Sequence, residues 1–250
     1  MDKALIARSF AKALKTYDGS AVVQRRVVRE MVRLMRANDF PEDAAIYEVG
    51  AGTGLLTAAL LAEFKPARIV ANDLCLEAGE PLGALSRRVE FVHGDAESLP
   101  VPAGCTAVVS CSAVQWFADV GACFRNFAAG LPAGGVLAFS TFGPANLSEI
   151  REITGVGLDY ISLSEHVALL EQAGFEVLEA VENLETVVLG SVGELLRHIR
   201  ETGVGGVERE HAGLAQAVRF RREYEARFSV AGGIALTYHP LYFIARKREP

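Results

Sequence analysis

The segment from Tyr47 to Gly54 constrains the fold of this chain more than any other, because three alternate glycines lie where an apolar strand turns into a helix. Residues 46–49 are typical of a short buried strand, and residues 55–61 have the leucine and alanine content of a packed helix. Glycines at such a turn let the backbone approach a ligand, and the N–H groups that open the next helix can bind an anion. The pattern predicts a nucleotide-like ligand here, against the alternative of an ordinary strand-to-helix turn.

A second apolar segment, residues 67–72, ends at Asp73, which lies 21 residues after Gly52. An acid at that distance from the glycines is expected to bind ribose hydroxyls. The spacing E-x-G-x-G-x-G, which begins at Glu48, differs from the G-x-G-x-x-G of dinucleotide-binding proteins, in which two residues separate the second and third glycines. It resembles instead the first motif of the class I S-adenosylmethionine-dependent methyltransferases.

This resemblance implies that S-adenosylmethionine binds as a co-substrate, with its methionine portion along the glycine loop. Asp73 would hold the ribose, Asp95 would face the adenine amino group, and Ala96 would offer its N–H to the ring. For Asp95 the alternative is an acid in a surface turn, because Gly-Asp is also common turn chemistry. The full set of cofactor-binding residues under this resemblance is Gln24, Glu48, Gly50, Gly52, Gly54, Asp73, Leu74, Asp95, Ala96 and Ser110.

Composition predicts one compact unit, since 250 residues of which 50% are hydrophobic can bury a sizeable core. The formal net charge of −6 argues against general nucleic-acid binding. No apolar run approaches the roughly 20 residues that cross a bilayer, and Lys12 and Lys15 interrupt the region where a signal peptide needs its apolar stretch. We therefore expect no nucleic-acid partner, no membrane partner and a cytoplasmic location.

The four cysteines lack the paired C-x-x-C spacing of zinc sites, and the five histidines form no recognisable metal motif. The sequence therefore predicts no metal and reduced, mostly buried thiols at Cys75, Cys105, Cys111 and Cys123. A nucleophilic cysteine is the alternative, although nothing near these four residues in the sequence supplies a base.

Strand-like and helix-like segments alternate after the glycine loop, which favours a mainly parallel sheet covered on both faces. Two pairs, Ser162 with Glu165 and Ser191 with Glu194, predict capping boxes that open helices ending at residues 173 and 201. The segment 77–83 is too broken to match well the helix that the family usually has there. Further expected elements are strands at 89–92, 106–110 and 134–140, a helix at 147–153 capped by Asn146, one long strand at 175–189, a charged helix at 207–228 and a last strand at 235–246.

The predicted fold class is α/β, a Rossmann-like doubly wound sheet of seven mainly parallel strands with N-terminal helices and a helical insertion before the last strand. A single domain of residues 1–250 would contain an N-terminal helical segment (1–40) and a cofactor-binding core (41–190 and 234–248). Residues 191–233 would form the insertion, which faces the substrate or a partner.

Segments outside the glycine loop narrow the resemblance. Residues 10–24, 112–117, 140–147, 202–206 and 236–247 together resemble the malonyl-acyl-carrier-protein O-methyltransferases of biotin synthesis, from about Asp2 to Lys247. The resemblance implies transfer of a methyl group from S-adenosylmethionine to the free carboxylate of a malonyl thioester, which would start pimeloyl synthesis. Whether acyl carrier protein or coenzyme A carries the malonyl group stays open. A malonyl carboxylate is already ionised near neutral pH, so no dedicated base is needed.

Four side chains have substrate roles under this resemblance. Tyr17 and Gln115 are the predicted catalytic residues, because a phenolic O–H can donate to one carboxylate oxygen and leave the other free to attack. Trp116 and Phe142 are the predicted substrate-binding residues, and Gln24 would close the N-terminal segment over the cofactor. The alternatives are a helix anchor for Tyr17 and a core position for Trp116.

Two groups of arginines could attract an acidic carrier protein, or could simply be solvated faces. Two other functions are compatible with the motifs. A methyltransferase that acts on another small carboxylate or a ring carbon would keep every cofactor residue, and a nonenzymatic regulator would bind the cofactor without transfer. The arginine groups are Arg25, Arg26, Arg29, Arg33 and Arg36 on an N-terminal helix, and Arg197, Arg200, Arg219, Arg221 and Arg222 in the insertion.

Overall fold

The computed structural model describes residues 2–202 and 214–249. Two N-terminal helices precede the first strand, and strands and helices then alternate. The helices are α1 (Lys3–Ser20), α2 (Val22–Ala37), α3 (Leu55–Glu63), α4 (Gly79–Leu85), α5 (Val120–Gly130), α6 (Ser148–Thr154), α7 (Leu163–Gln172), α8 (Val192–Glu201) and α9 (Leu214–Phe228). The strands are β1 (Ala45–Val49), β2 (Arg68–Asp73), β3 (Val89–His93), β4 (Ala107–Cys111), β5 (Val136–Phe142), β6 (Phe175–Glu182), β7 (Glu185–Leu189), β8 (Ser229–Val230), β9 (Gly233–Tyr238) and β10 (Pro240–Lys247).

Seven strands form the main sheet, in the order β3-β2-β1-β4-β5-β10-β6. Strands β1 to β5 pair in parallel with their neighbours, whereas β10 lies antiparallel between β5 and β6. The chain moves outward from β1 to β3 and then returns to β4 on the other side of β1, so the strand order reverses there. Ligands of open α/β sheets bind at such a reversal, outside the carboxyl ends of the strands. The predicted α/β fold class is confirmed.

Successive side chains of the central strands pack on opposite faces of the sheet, as the two-residue period of a strand requires. In β1, Ile46 belongs to the apolar core beneath α2 and α3, and Tyr47 belongs to the core beneath α5 and α7. On that second face Phe139 of β5 stacks on Phe243 of β10, with 4.7 Å between the ring centroids. Both faces are therefore covered by helices, which explains why the strands are apolar on both sides.

Two segments that were expected to be single strands are each divided. Residues 175–189 form β6 in the main sheet and β7 in a second sheet with the order β7-β9-β8. Residues 235–246 are divided between β9 and β10 in the same way. Each division separates strands that pair with different partners, since β6 pairs with β10 and β7 pairs with β9. Apolar residues occur on both sides of each break, so the sequence pattern did not reveal the change of sheet and the single-strand predictions were wrong.

The capping predictions for the later helices had mixed outcomes. The capping box of Ser162 and Glu165 is present at the start of α7. At α8 the hydroxyl of Ser191 accepts the N–H of Glu194, but the Glu194 carboxylate accepts the N–H of Gly190 at 2.9 Å rather than that of Ser191. The second box is therefore incomplete, and α8 begins at Val192 instead of residue 195.

One further local prediction was wrong. Asn146 does not cap α6, because the N-cap residue is Leu147 and the Asn146 amide donates to the Tyr160 hydroxyl at 2.8 Å. The segment 77–83 is helical in two short pieces, a 3-10 turn at Leu76–Ala78 followed by α4. The predicted charged helix 207–228 is described from Leu214 onward as α9; its residues 207–213, and residues 203–206 of the peripheral segments, lie outside the described residues.

Candidate active site

A cavity lies at the carboxyl edge of β1, β2, β3 and β4, where the strand order reverses, and its empty volume including the open mouth is about 1100 Å³. Its floor is formed by the loops that follow these strands, residues 48–53, 72–75, 95–96 and 111–113. Helix α1 forms the roof. The cavity therefore occupies the place where the fold predicts a ligand.

Helix α1 has one face directed into the cavity. The lining residues of this helix are Lys3, Ile6, Ala7, Phe10, Leu14 and Tyr17. Their spacing of three and four residues places them on a single side of an α-helix. The ring of Phe10 packs edge-on against Trp116, with 5.8 Å between the ring centroids. Helix α1 thus closes the cavity with an apolar stripe that has a lysine at one end and a tyrosine at the other.

The three glycines of the loop have different physical roles. A Cβ on Gly50 would lie 2.4 Å from the Cβ of Ala113, so the loop passes too close to the β4 loop for any side chain. A Cβ on Gly52 would meet no protein atom within 4 Å, and with φ of 55° this residue leaves its space to a ligand. Gly54 does not line the cavity; its Cβ would lie 2.8 Å from Leu85, so its role is the packing of α3 against α4.

Asp73 joins the end of β2 to the glycine loop. Its Oδ2 accepts the N–H of Gly52 and its Oδ1 accepts the N–H of Cys75, both at 2.8 Å. Burial raises the pKa of this carboxyl, and the two N–H donors partly offset that shift. Each carboxylate oxygen has a second lone pair, so Asp73 can still accept from two ligand hydroxyls.

Glu48 is the most buried acid of the cavity. Its Oε2 accepts the hydroxyl of Thr57 at 2.7 Å, whereas its Oε1 has no partner among the described residues. Burial raises the pKa of Glu48 to about 8, with the Thr57 hydrogen bond opposing the shift. A buried carboxylate with one free oxygen is suited to a cationic group such as the amino group of a methionine.

Asp95 follows β3 and lines the cavity together with Ala96 and Leu74. One oxygen of Asp95, Oδ2, lies 2.5 Å from Nζ of Lys3, and the other accepts the N–H of Glu97 at 3.0 Å. The structure therefore brings the predicted adenine-facing acid to the cavity and also gives it a lysine partner that the sequence reasoning missed.

Unpartnered polar atoms concentrate around the cavity. A buried polar group without a hydrogen bond costs roughly 1–3 kcal/mol, so such a group in a folded site indicates a ligand or water. Donors and acceptors are both present, as the ammonium, carboxylate and ribose hydroxyls of S-adenosylmethionine require. The cavity-lining atoms without a partner among the described residues are both amide atoms of Gln24, Oε1 of Glu48, Oγ1 of Thr53, Oγ of Ser112 and Nε1 of Trp116.

Besides Gly54, three predicted site residues lie outside the cavity lining. The Ser110 hydroxyl donates to the carbonyl of Val49 at 2.9 Å and ties β4 to β1. The Gln115 amide donates to the Ser112 carbonyl at 2.7 Å and accepts from the Thr141 hydroxyl at 3.3 Å. Phe142 is buried against Tyr238. The direct ligand contacts expected for Ser110, Gln115 and Phe142 therefore have no support in the geometry, because their side chains are used inside the protein.

Sequence reasoning missed four lining residues in particular: Lys3, Phe10, Thr53 and Ser112. The helical spacing of Lys3 and Phe10 with Tyr17 was a usable signal for the first two. Ser112 had no such signal, since its importance comes from a left-handed backbone, with φ of 57°, that turns the chain at the end of β4.

The cysteines show no sign of activation. All four are free thiols, and burial raises the pKa of Cys75 to about 11 and that of Cys111 to about 12. A thiolate is the nucleophilic form, so these two lining residues are poor nucleophiles. Within residues 2–202 and 214–249, no group of three or more His, Cys, Asp or Glu side chains could hold a metal ion. In the same part of the chain, no helix combines the length and the apolar character of a membrane span.

Comparisons agree with this geometry. Residues 47–139 match the methyltransferase domain family. The solved structure of YcgJ from Bacillus subtilis superimposes with a TM-score of 0.64 at 18% identity, covering 89% of this chain and 100% of that one. An S-adenosylmethionine-dependent methyltransferase from Mesorhizobium loti gives a TM-score of 0.53 at 16% identity, covering 88% and 95%. The fold and the site together define a class I methyltransferase, and the polar atoms around the cavity fit S-adenosylmethionine as co-substrate.

Curated relatives define the family more narrowly. Malonyl-[acyl-carrier protein] O-methyltransferases from Bacteroides helcogenes and Chlorobium phaeovibrioides are 37% and 38% identical, covering 100% and 99% of this chain and 100% and 98% of theirs. The chain belongs to the family of the malonyl-[acyl-carrier protein] O-methyltransferases. A relative of the same name from Bacteroides fragilis is 39% identical over 98% of this chain, which spans only 51% of that longer protein.

Proposed function

We propose that this protein transfers the methyl group of S-adenosylmethionine to the free carboxylate of malonyl-acyl carrier protein, giving the methyl ester that starts pimeloyl synthesis. The observation that carries the proposal is that one cavity is lined both by the cofactor loop with Asp73 and by Tyr17 with Trp116. Donor and acceptor groups would therefore meet in one space beneath α1. The names of the full-length relatives support malonyl-acyl carrier protein as the acceptor.

In this proposal the protein positions reactants and supplies no base. Bound S-adenosylmethionine contributes an electrophilic methyl on a positively charged sulfur. Asp73 accepts the ribose hydroxyls, Glu48 accepts the methionine amino group, and Asp95 accepts the adenine amino group. The malonyl carboxylate is already ionised near neutral pH, and among the described lining residues no histidine is present to act as a base.

Tyr17 is the proposed orienting residue for the acceptor. Its phenol lies on the cavity face of α1, near the buried hydroxyl of Tyr238. Donation of its O–H to one carboxylate oxygen would leave the other oxygen aimed at the methyl group. Holding the reacting atoms about 3–3.5 Å apart removes much of the entropic barrier. Trp116 would form an apolar wall that excludes water from this contact.

The carrier protein requires a positive surface, because acyl carrier proteins are acidic and this chain has a net charge of −6. Of the N-terminal group, Arg26, Arg33 and Arg36 are each paired with a glutamate. Arg197 and Arg200 on α8 are exposed and, like Arg29 of the N-terminal group, make no ion pair with a described residue. In the insertion, Arg219 and Arg221 pair with Glu223 and Glu225. Helix α8 also packs against α1, the roof of the cavity. We therefore favour α8 as the docking helix, on which the exposed Leu196 would add an apolar contact.

The test is a transfer assay with labelled S-adenosylmethionine, offering malonyl-acyl carrier protein, malonyl-coenzyme A and free malonate side by side. Faster transfer to the carrier protein than to coenzyme A is the expected result. Transfer to none of the three, despite measurable cofactor binding, would overturn the substrate assignment and leave the two other functions, a different acceptor or a regulator.

Docking is tested by a pair of double variants. Arg197→Gln with Arg200→Gln should lower kcat/KM for malonyl-acyl carrier protein by about tenfold at low salt, since charge steering chiefly changes the association rate. Arg33→Gln with Arg36→Gln is the matched control, because it removes the same charge from residues that are already paired. Equal losses in both double variants would show that only net charge matters and would reject α8 as the docking helix.

A further inference from the structure

Lys3, the first residue of α1, lies between two carboxylates that follow β3. Its Nζ is 2.5 Å from Oδ2 of Asp95 and also contacts Oε2 of Glu97. The three side chains are largely withdrawn from solvent, with 26% of the Lys3 side chain, 30% of that of Asp95 and 12% of that of Glu97 exposed. This ion triad joins the roof of the cavity to its floor across 92 residues of sequence.

The acidic side of the triad is held rigidly by the backbone. The two oxygens of Glu97 also accept the N–H groups of Ala118 and Asp119, at 3.0 and 2.8 Å. Asp119 in turn caps α5. Burial opposes the charge of Lys3, but its hydrogen bonds to both acids outweigh burial and raise its pKa, so the lysine stays charged at neutral pH. Lys3 is therefore bound to a preformed acceptor rather than to a mobile surface carboxylate.

Helix α1 is also fixed at its other end. The hydroxyl of Ser20 lies 2.5 Å from Oε2 of Glu201 on α8. Lys3 and Tyr17 are 14 residues apart, a rise of roughly 21 Å along an α-helix. Release of the Lys3 contact would leave the first turns of α1 held over the cavity by apolar contacts such as that of Phe10 with Trp116.

We propose that Lys3 is a positioning residue that latches α1 over the bound cofactor and fixes the carboxylate of Asp95. The inference rests on the proposed function, in which α1 covers S-adenosylmethionine and carries Tyr17. Asp95 keeps a lone pair on each oxygen, so the lysine contact and a hydrogen bond from the adenine amino group can coexist. Lys3 touches neither reacting atom, and its effect on catalysis passes through Asp95 and α1.

The first consequence is slower cofactor release. Because α1 covers part of the cavity, opening of the latch should speed the release of S-adenosylmethionine. Lys3→Met keeps the length and apolar stem of the side chain while removing its charge. It should raise the Kd of S-adenosylmethionine about five- to tenfold, mainly through a faster dissociation rate, as the loss of a partly buried ion pair predicts. Lys3→Arg keeps the charge and should restore most of the affinity.

The matched control is Arg8→Met, which removes one positive charge from the exposed side of the same helix. Three readouts distinguish a latch from a general structural effect. They are the binding of S-adenosylmethionine (its Kd and dissociation rate), the hydrogen exchange of the α1 amides, and the salt dependence of binding and of exchange. In Lys3→Met the α1 amides should exchange faster while those of β1 and β4 keep their protection. The difference from wild type should shrink in 1 M salt, because the side chains of Lys3 and Asp95 keep 26% and 30% of their surface exposed, so salt partly screens their ion pair.

An unchanged Kd and unchanged α1 exchange in Lys3→Met would overturn the proposal, and so would an equal effect of Arg8→Met. If Lys3→Met is too unstable to measure, the Kd of S-adenosylmethionine is compared at low and high salt for wild type, Lys3→Arg and Arg8→Met. A wild-type Kd that does not respond to salt would then overturn the latch proposal. These measurements need no acceptor. Failure of methyl transfer to malonyl thioesters in wild type would therefore reject the proposed function without deciding the latch.

Discussion

Oδ2 of Asp73 accepts the backbone N–H of Gly52 at 2.8 Å, so the acid that ends β2 directly supports the loop that follows β1. The sequence placed these residues 21 positions apart and predicted a ribose acid and a cofactor glycine. Their contact means that the two predicted features are one unit, in which the acid supports the loop and both residues line the cavity.

Asp73→Asn should weaken binding of S-adenosylmethionine by roughly 10- to 100-fold, since hydrogen bonds to a charged group contribute about 1.5–3 kcal/mol. The amide also has only one acceptor atom, so either Gly52 or Cys75 would lose its partner. Isothermal titration measures the effect. Asp43→Asn, at an exposed position before β1, is the control and should bind like wild type; normal affinity in Asp73→Asn would refute the ribose role.

Tyr17→Phe should leave the Kd of S-adenosylmethionine unchanged and lower kcat by about 10- to 100-fold, because only the hydroxyl that orients the acceptor is lost. Stopped assays at saturating cofactor measure kcat. Tyr160→Phe removes a hydroxyl outside the cavity lining and should keep kcat. A parallel rise of the cofactor Kd in Tyr17→Phe would show that Tyr17 contacts the cofactor instead.

Glu48→Gln should make the cofactor-free protein more stable at pH 8 than wild type, by an amount on the order of 4 kcal/mol at most. Burial raises the pKa of Glu48 from 4.5 to about 8, so the folded state holds its proton more tightly than the unfolded chain. The stabilisation that protonated Glu48 gives to the folded state is therefore fully present below pH 4.5 and is lost as the pH rises toward 8. Urea unfolding at pH 5 and pH 8 measures it, with the exposed Glu42→Gln as control; a stability difference that does not grow with pH would contradict the assignment.

The same Glu48 should make cofactor binding depend on pH. A methionine amino group beside the carboxylate favours its charged form and lowers its pKa in the complex. Wild-type affinity should therefore rise as the pH increases from 6 to 8 and level off above the free-protein pKa of about 8. Glu48→Gln should bind weakly and show a flat profile over this range; the same slope in both proteins would assign the dependence to another group.

Two glycine substitutions should change stability in opposite directions. Gly50→Ala places a Cβ 2.4 Å from Ala113 at a left-handed backbone position, and should cost roughly 2–4 kcal/mol. Gly83→Ala lies in α4 with no atom within 4 Å of the new Cβ, and should stabilise the protein by about 0.5–1 kcal/mol. Thermal unfolding measures both changes in stability. A destabilised Gly83→Ala would show that the new Cβ does not fit beside α4.

Local sequence patterns predicted the parts of this protein that depend on near neighbours. The strand-to-helix turn at the glycine loop, the acid after β2 and the capping box of Ser162 with Glu165 all arise within short stretches of chain. The patterns failed where a strand pairs with a strand that is far away in the sequence. The divisions of residues 175–189 and 235–246 depend on which strand pairs with which, and alternation of apolar residues is the same in both sheets.

The same distinction between local and long-range features applies to the cavity. Sequence alone determined the fold class, the cofactor loop and the family resemblance, because these depend on backbone geometry and on residues at set spacings along the chain. Only the tertiary structure decided which candidates line the cavity. It turned Ser110, Gln115 and Phe142 inward to satisfy Val49, Ser112 and the core, and it brought Lys3 to Asp95 across 92 residues. Side-chain direction and long-range ion pairs are set by packing between elements, and packing is not encoded in any one segment.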